Sequence, residues 1–155
     1  VAMADAIGTM SLPRFGERSS ERIRTVFERC RITSVVDMHN PLDLTPMVDD
    51  AGYEEIARAI LEDESLDGGV IGCVPLSGSL ETFPGEDREF SEGSVVARLA
   101  RLRAGNDKPW VAVVDSGRLF DPMARALEQG GVPTFRSADR ALRLFGTFIR
   151  RRLEG

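Results

Sequence analysis

Hydrophobic positions along the chain alternate between stripes of helical spacing and short unbroken apolar runs. Ile23, Val26, Phe27 and Cys30 recur on one helical face, with Ser19 or Ser20 as the N-cap. Tyr53, Ile56, Ala57, Ile60 and Leu61 form the clearest amphipathic stripe, directly after Asp49 and Asp50. Val95, Val96, Leu99 and Leu102 predict a further helix, capped by Ser91. Another is predicted over residues 122–129, stopping at Gly130-Gly131. Ser137 caps the last, with Ala141, Leu142, Phe145, Phe148 and Ile149 facing inward.

Strand-like segments fall between these stripes. Residues 34–37 are a short β-branched candidate. Residues 69–76 are apolar without alternation, as in a central parallel strand covered on both faces. Residues 110–114 form a second such run, after the turn Asn106-Asp107-Lys108-Pro109, and residues 132–135 a short third. This repeated βα order predicts an α/β domain with an open parallel sheet between helices. Ligands in such sheets sit beyond the carboxyl ends of the strands. Those ends are residues 38–46, the loop with Pro75, Ser77 and Gly78, and the turn Asp115-Ser116-Gly117. Residues 77–90 are polar and long for a connection, which marks them as functional or mobile.

At 155 residues the chain suits a single domain with a real core. A net charge of −5 argues against a nucleic-acid surface, which needs clustered cations. The basic run Arg150-Arg151-Arg152 ends a predicted helix, where it complements the dipole. Cys30 and Cys73 lack metal-ligand spacing and read as reduced core thiols of a cytoplasmic protein. No segment is apolar and long enough to span a bilayer, and no signal peptide is expected. Residues 1–6 resemble the tail of a helix closed by Gly8, with no strand before it. The expectation is therefore a piece of a longer polypeptide that lacks the first strand of its domain.

The chemistry candidates gather at Asn40-Pro41-Leu42-Asp43-Leu44, a loop that feeds a helix N-terminus. His39, the only histidine, tempts assignment as a base, but it has no identified partner and reads as a structural or solvated loop residue. Asp43, Asp49 and Asp50 are the acidic set that a Mg²⁺ site would draw on. The plainer reading has Asp43 bonding its own loop and Asp49 or Asp50 capping the helix. Free N–H groups at that helix start attract anions, yet the two aspartates already place negative charge there. Asp115-Ser116-Gly117 lacks the glycine frame of a nucleophile elbow. There is neither a dinucleotide fingerprint nor a P-loop, so no complete catalytic apparatus is visible.

The ordered set resembles the NDP-forming acyl-CoA synthetases, including the ADP-forming acetyl-CoA synthetases and, more distantly, the succinyl-CoA synthetases. It comprises Asn40-Pro41-Leu42-Asp43-Leu44, the helix of residues 53–61, Asp63, Asp67, the strand from Gly69, Lys108-Pro109, Gly131-Val132-Pro133-Thr134-Phe135, and the start of the last helix. The resemblance covers nearly the whole chain, about residues 1–151. It implies the C-terminal flavodoxin-like CoA-ligase domain, a three-layer αβα sandwich. In that family acyl-CoA and phosphate give acyl phosphate, and a histidine on another domain carries the phosphoryl group to ADP in an ATP-grasp domain. CoA, ADP or ATP, and Mg²⁺ then belong to the intact enzyme, and none is expected on this chain alone. The implied partners are the Rossmann CoA-binding, phosphohistidine-bearing and ATP-grasp domains of the same polypeptide. A homo-oligomer is compatible; nucleic acid and membrane are not expected. By position, Asn40, Asp43, Thr45 and the helix start at Asp49 and Asp50 face the phosphohistidine, with Pro75 and Ser77 at the next strand end. His39 lacks the following Thr or Ala and Gly of the family's phosphohistidine motif. Thr45, Pro46 and Met47 stand where the succinyl-CoA synthetase β subunit has glycines.

A rival reading is a non-catalytic regulatory or binding module, of receiver or cobalamin-binding type. Asp37-Met38-His39 has the Asp-x-His spacing of a cobalamin ligand, but Pro41 follows Asn40 where a glycine is usual, and no Gly-rich tail lies downstream.

Overall fold

The computed structural model describes residues 10–87 and 89–154. The sequence reading of residues 1–6 and Gly8 lies outside them. The elements are α1 (Glu17–Arg29), α2 (Asp50–Leu61), β1 (Gly69–Gly72), α3 (Val95–Ala104), β2 (Trp110–Val113), a 3-10 turn (Arg118–Phe120), α4 (Asp121–Gln129), β3 (Thr134–Phe135) and α5 (Ala138–Glu154). The strands pair in parallel in the order β1-β2-β3.

Alternation along β2 shows how the layers form. Successive strand residues point to opposite faces. Trp110, Ala112 and Val114 enter a core built with α1, α2, α3 and α4. Val111 and Val113 enter a smaller one with Ala141 and Phe145 of α5. The result is a flavodoxin-like α/β architecture, a small parallel sheet between two helical layers. Gly68 sets the seam where β1 begins: a Cβ there would lie 2.6 Å from the Pro109 carbonyl and 2.7 Å from the Phe145 ring.

Buried polar contacts join the helices. Ser19 Oγ donates to the Ala59 carbonyl at 3.1 Å, tying α1 to α2. Glu54 on α2 accepts from Arg58 at 2.7 Å and from Arg98 of α3 at 2.9 Å. Burial raises the Glu54 carboxyl, but the two guanidinium groups outweigh it and leave the pKa lowered.

Several sequence expectations are corrected. Residues 34–37 are not a strand. The Val35 and Val36 N–H groups both bond the Ile32 carbonyl, at 2.9 and 3.2 Å, which closes a turn instead of extending the chain. Only Ile32 is buried there; Val35 is 67% exposed. The apolar run from Gly69 is shorter than expected as a strand, and β1 is not central: β2 is, with all four residues buried. Ser19 and Ser20 lie inside α1, with Gly16 at the N-cap. Ser94, not Ser91, caps α3, accepting from Ala97 N–H at 3.2 Å. Phe148 does not face inward but is 51% exposed. Among the described residues, no helix is long and apolar enough to cross a membrane.

Candidate functional site

Two of the three predicted strand-end loops meet, and one hydrogen bond joins them. Ser77 Oγ, beyond β1, donates to the Pro46 carbonyl at 2.9 Å, across 31 residues of sequence. Pro75 is buried beside it, and its carbonyl accepts Thr82 Oγ1 at 2.8 Å. Gly78 is exposed, with open space where a side chain would begin. The third loop is held elsewhere. Arg136 bonds the Ser116 and Gly117 carbonyls at 2.6 and 3.2 Å and pairs with Asp121 at 3.0 Å. Asp115 faces the Ala138 N–H at 3.5 Å. Asp115, Ser116 and Gly117 therefore serve the start of α5 and do not line the main cavity.

The Asn-Pro-Leu-Asp loop is built by its own polar side chains. Its Asn40–Pro41 peptide is cis. Asn40 Nδ2 donates to the Pro13 carbonyl at 3.1 Å, pinning residues 10–13 across the loop. Asp43 Oδ1 accepts the Thr45 N–H at 3.0 Å, a local turn that the side chain closes. Thr45 sits at φ 55°, where a β-branched residue is strained. Its hydroxyl accepts from Met47 N–H at 3.4 Å.

The acids at the start of α2 are structural in this geometry. Asp49 Oδ1 caps the helix through the Gly52 N–H at 2.8 Å. The Asp50 carboxylate accepts the Glu81 N–H at 3.0 Å and the Val95 N–H at 2.6 Å. Asp50 thus ties Glu81 and the first turn of α3 to α2. Glu81 extends the bracket by accepting Ser91 Oγ at 2.6 Å. The Asp49 cap follows the sequence reading; the contacts of Asp50 and Glu81 were not foreseen, because they reach across long stretches of sequence. Arg29 lies 4.0 Å from Asp49 but is paired with Glu55 at 2.9 Å. His39 is exposed, its Nδ1 3.2 Å from the Asp37 carbonyl two residues back. Among the described residues, no group of three His, Cys, Asp or Glu side chains is placed to hold a metal.

A cavity of about 890 Å³ opens beside these loops. Asn40, Asp43, Thr45 and Ser77 give it a polar end; Asp49, Asp50, Pro75 and Gly78 are not on its wall. The remainder is mostly apolar and runs along β1 between α2 and α5. Tyr53 and Cys73 are buried near its polar end. The Tyr53 hydroxyl donates to the Gly72 carbonyl. Burial, then the adjacent Cys73, holds the Tyr53 pKa well above its ordinary value. Burial pushes the Cys73 thiol up to about 11, against a smaller opposing effect of Tyr53. Neither group is primed to ionise near neutrality, so this end offers hydrogen bonds and shape in place of a nucleophile.

No protein-family model matches the chain, and no curated protein matches it. Among solved structures it is similar to the crystal structure of PH0766 from Pyrococcus horikoshii OT3, with a TM-score of 0.73 and 22% sequence identity. The match covers 99% of this chain and 33% of that one. The chain thus spans about a third of the length of its structural relative, and what the two share is the fold.

Proposed function

We propose that this domain belongs to an NDP-forming acyl-CoA synthetase, in which it forms one wall of the site visited by a phosphohistidine from another domain. The observation that carries the reading is the Ser77–Pro46 hydrogen bond. It joins the loop of residues 40–46 to the loop after β1, at the carboxyl end of the sheet, where α/β domains of this kind receive ligands. The ordered sequence resemblance supplies the reaction: acyl-CoA and phosphate give acyl phosphate and CoA, the histidine takes the phosphoryl group and releases the acid, and ADP accepts it.

On this chain the work is positional. Asn40, Thr45 and Ser77 offer uncharged hydrogen-bonding groups at the cavity's polar end. Asp49 and Asp50 are committed to backbone N–H groups, so the residues here do not fit a Mg²⁺ site. The metal, the nucleotide and the histidine belong to other domains, and no chemical step is assigned to a side chain here.

The test is ATP formation from acyl-CoA, phosphate and ADP. The full polypeptide carrying this domain is expected to turn over and to form an acid-labile phosphohistidine. Ser77→Ala in that polypeptide should lower kcat at least about tenfold, a loss of the size seen when a positioned group is misplaced. The 155-residue chain alone should give no turnover. Turnover by the isolated chain, or a full polypeptide that forms neither ATP nor phosphohistidine, contradicts the proposal.

A further inference from the structure

Asp50 is half-buried behind the cavity wall, and among the described residues no ion pair includes it. Its carboxylate is met instead by backbone donors from two distant segments, the Val95 N–H at 2.6 Å and the Glu81 N–H at 3.0 Å. Val95 opens α3, so its N–H is one of the donors that a helix leaves free at its start. Ser94 accepts another, from Ala97 at 3.2 Å. The start of α3 therefore has a local cap and a second one reaching over from α2. Bonds to a carboxylate are stronger than bonds between neutral groups.

The bond to Glu81 is one of a pair. Ser77 Oγ donates to the Pro46 carbonyl at 2.9 Å, and the Glu81 N–H donates to Asp50. Ser77 and Glu81 lie four residues apart, and so do Pro46 and Asp50. The two segments are thus clasped at both ends into one closed ring. Thr82, next to Glu81, bonds the Pro75 carbonyl at 2.8 Å, and the Ser79 N–H donates back to Ser77 Oγ at 3.3 Å. Of the two clasps, only Ser77 stands on the cavity wall. With the Asp50 clasp open, one neutral hydrogen bond would hold the two loops together.

We propose that Asp50 is a positioning residue. Through Glu81 it sets the place of Ser77 Oγ at the polar end of the cavity, and through Val95 it locks that place to α3. A capping role accounts for the Val95 bond but leaves the Glu81 bond and the matched spacing unexplained. The consequence for turnover rests on the acyl-CoA reading; the coupling of Asp50 to Ser77 does not.

In the ¹⁵N-labelled chain, the Ser79 amide reports on Ser77 without touching Asp50. Asp50→Ala should shift its resonance and speed its exchange at least about threefold. Asp50→Asn keeps an acceptor oxygen and should restore most of both. Ser94→Ala removes the other cap of α3 and should leave Ser79 unchanged. Should Asp50→Ala not fold, Glu81→Pro deletes the clasping N–H and should move Ser79 in the same way, whereas Glu81→Ala, which keeps that N–H, should not. In the full polypeptide, Asp50→Ala should lower kcat at least about tenfold with KM changed less than about twofold. Adding Ser77→Ala to it should slow turnover by no more than about a further twofold, because both losses pass through one hydroxyl. An unmoved Ser79 amide in Asp50→Ala, the same movement in Ser94→Ala, or additive losses of kcat overturns the proposal. A wild-type polypeptide that forms no ATP overturns the acyl-CoA reading, and the Ser79 amide still decides the coupling.

Discussion

β1 and β2 are neighbouring four-residue strands, paired in register from Gly69–Trp110 to Gly72–Val113, yet they are finished to different degrees. All four β2 residues are buried, and strands flank it on both sides. In β1 only Gly69 is buried, Val70 and Ile71 are half-buried, and Gly72 is exposed. Composition does not explain the difference, since both are uncharged runs suited to a two-sided place. What differs is the neighbour. A parallel strand is completed by what lies beside it as much as by the helices above and below.

The largest expected effect comes from breaking the finished strand. Trp110 is 1% exposed and anchors the main core. Trp110→Ala should cost about 3–5 kcal/mol in urea unfolding. Val70→Ala, on the unfinished strand, should cost about 1 kcal/mol or less, because its side chain is only half covered. Equal losses at the two sites would erase the contrast.

Asp63 sharpens the comparison from the approach to β1. It accepts Gly16 N–H at 2.7 Å and Ser65 Oγ at 2.7 Å, and the Lys108 ammonium donates to its carbonyl. Burial alone raises this carboxyl, but the bonds from Ser65 and Gly16 outweigh it and lower the pKa from 3.8 to about 2. A folded pKa below the unfolded value stabilises the protein above the unfolded pKa, and that contribution is lost as pH falls through the folded one. The shift corresponds to about 2 kcal/mol, present above roughly pH 4 and disappearing toward pH 2. Unfolding curves across this range should show the loss, and Asp63→Asn should remove that part of the pH dependence. An unchanged acid profile in the variant would deny Asp63 the role.

The smallest effect separates the two thiols. Cys73, just past β1, is fully covered and its pKa lies near 11; Cys30, at the end of α1, is half-buried. A disulfide reagent at pH 8 should label Cys30 at least about tenfold faster than Cys73. Comparable rates would show that the region after β1 opens more readily than its packing implies.

The helices and the buried strand β2 were legible because their patterns report burial directly, whereas β1 was read as a covered central strand and is only partly covered. Helix caps were less legible: Ser91 and Ser94 both fit a cap, and only the path of the loop anchored on Asp50 selects Ser94. The false strand at residues 34–37 shows β-branching without a partner edge. At the site, Ser77 follows a real strand and its place beyond the sheet could be anticipated from βα order; Asn40 and Thr45 were expected there from a strand at residues 34–37 that does not form. The Ser77–Pro46 bond could not be anticipated, because it depends on two loops 31 residues apart meeting in space. That β1 has a strand on one side only, among the described residues, was hidden for the same reason: an apolar run records that a strand is covered, not which neighbour covers it.

Amide exchange along β1 in the free chain tests the central claim most directly. Ile71 and Cys73, which address β2, should exchange at least about tenfold more slowly than Val70 and Gly72, which point away from it. Equal protection at all four amides would show that the edge is already closed and would contradict the account.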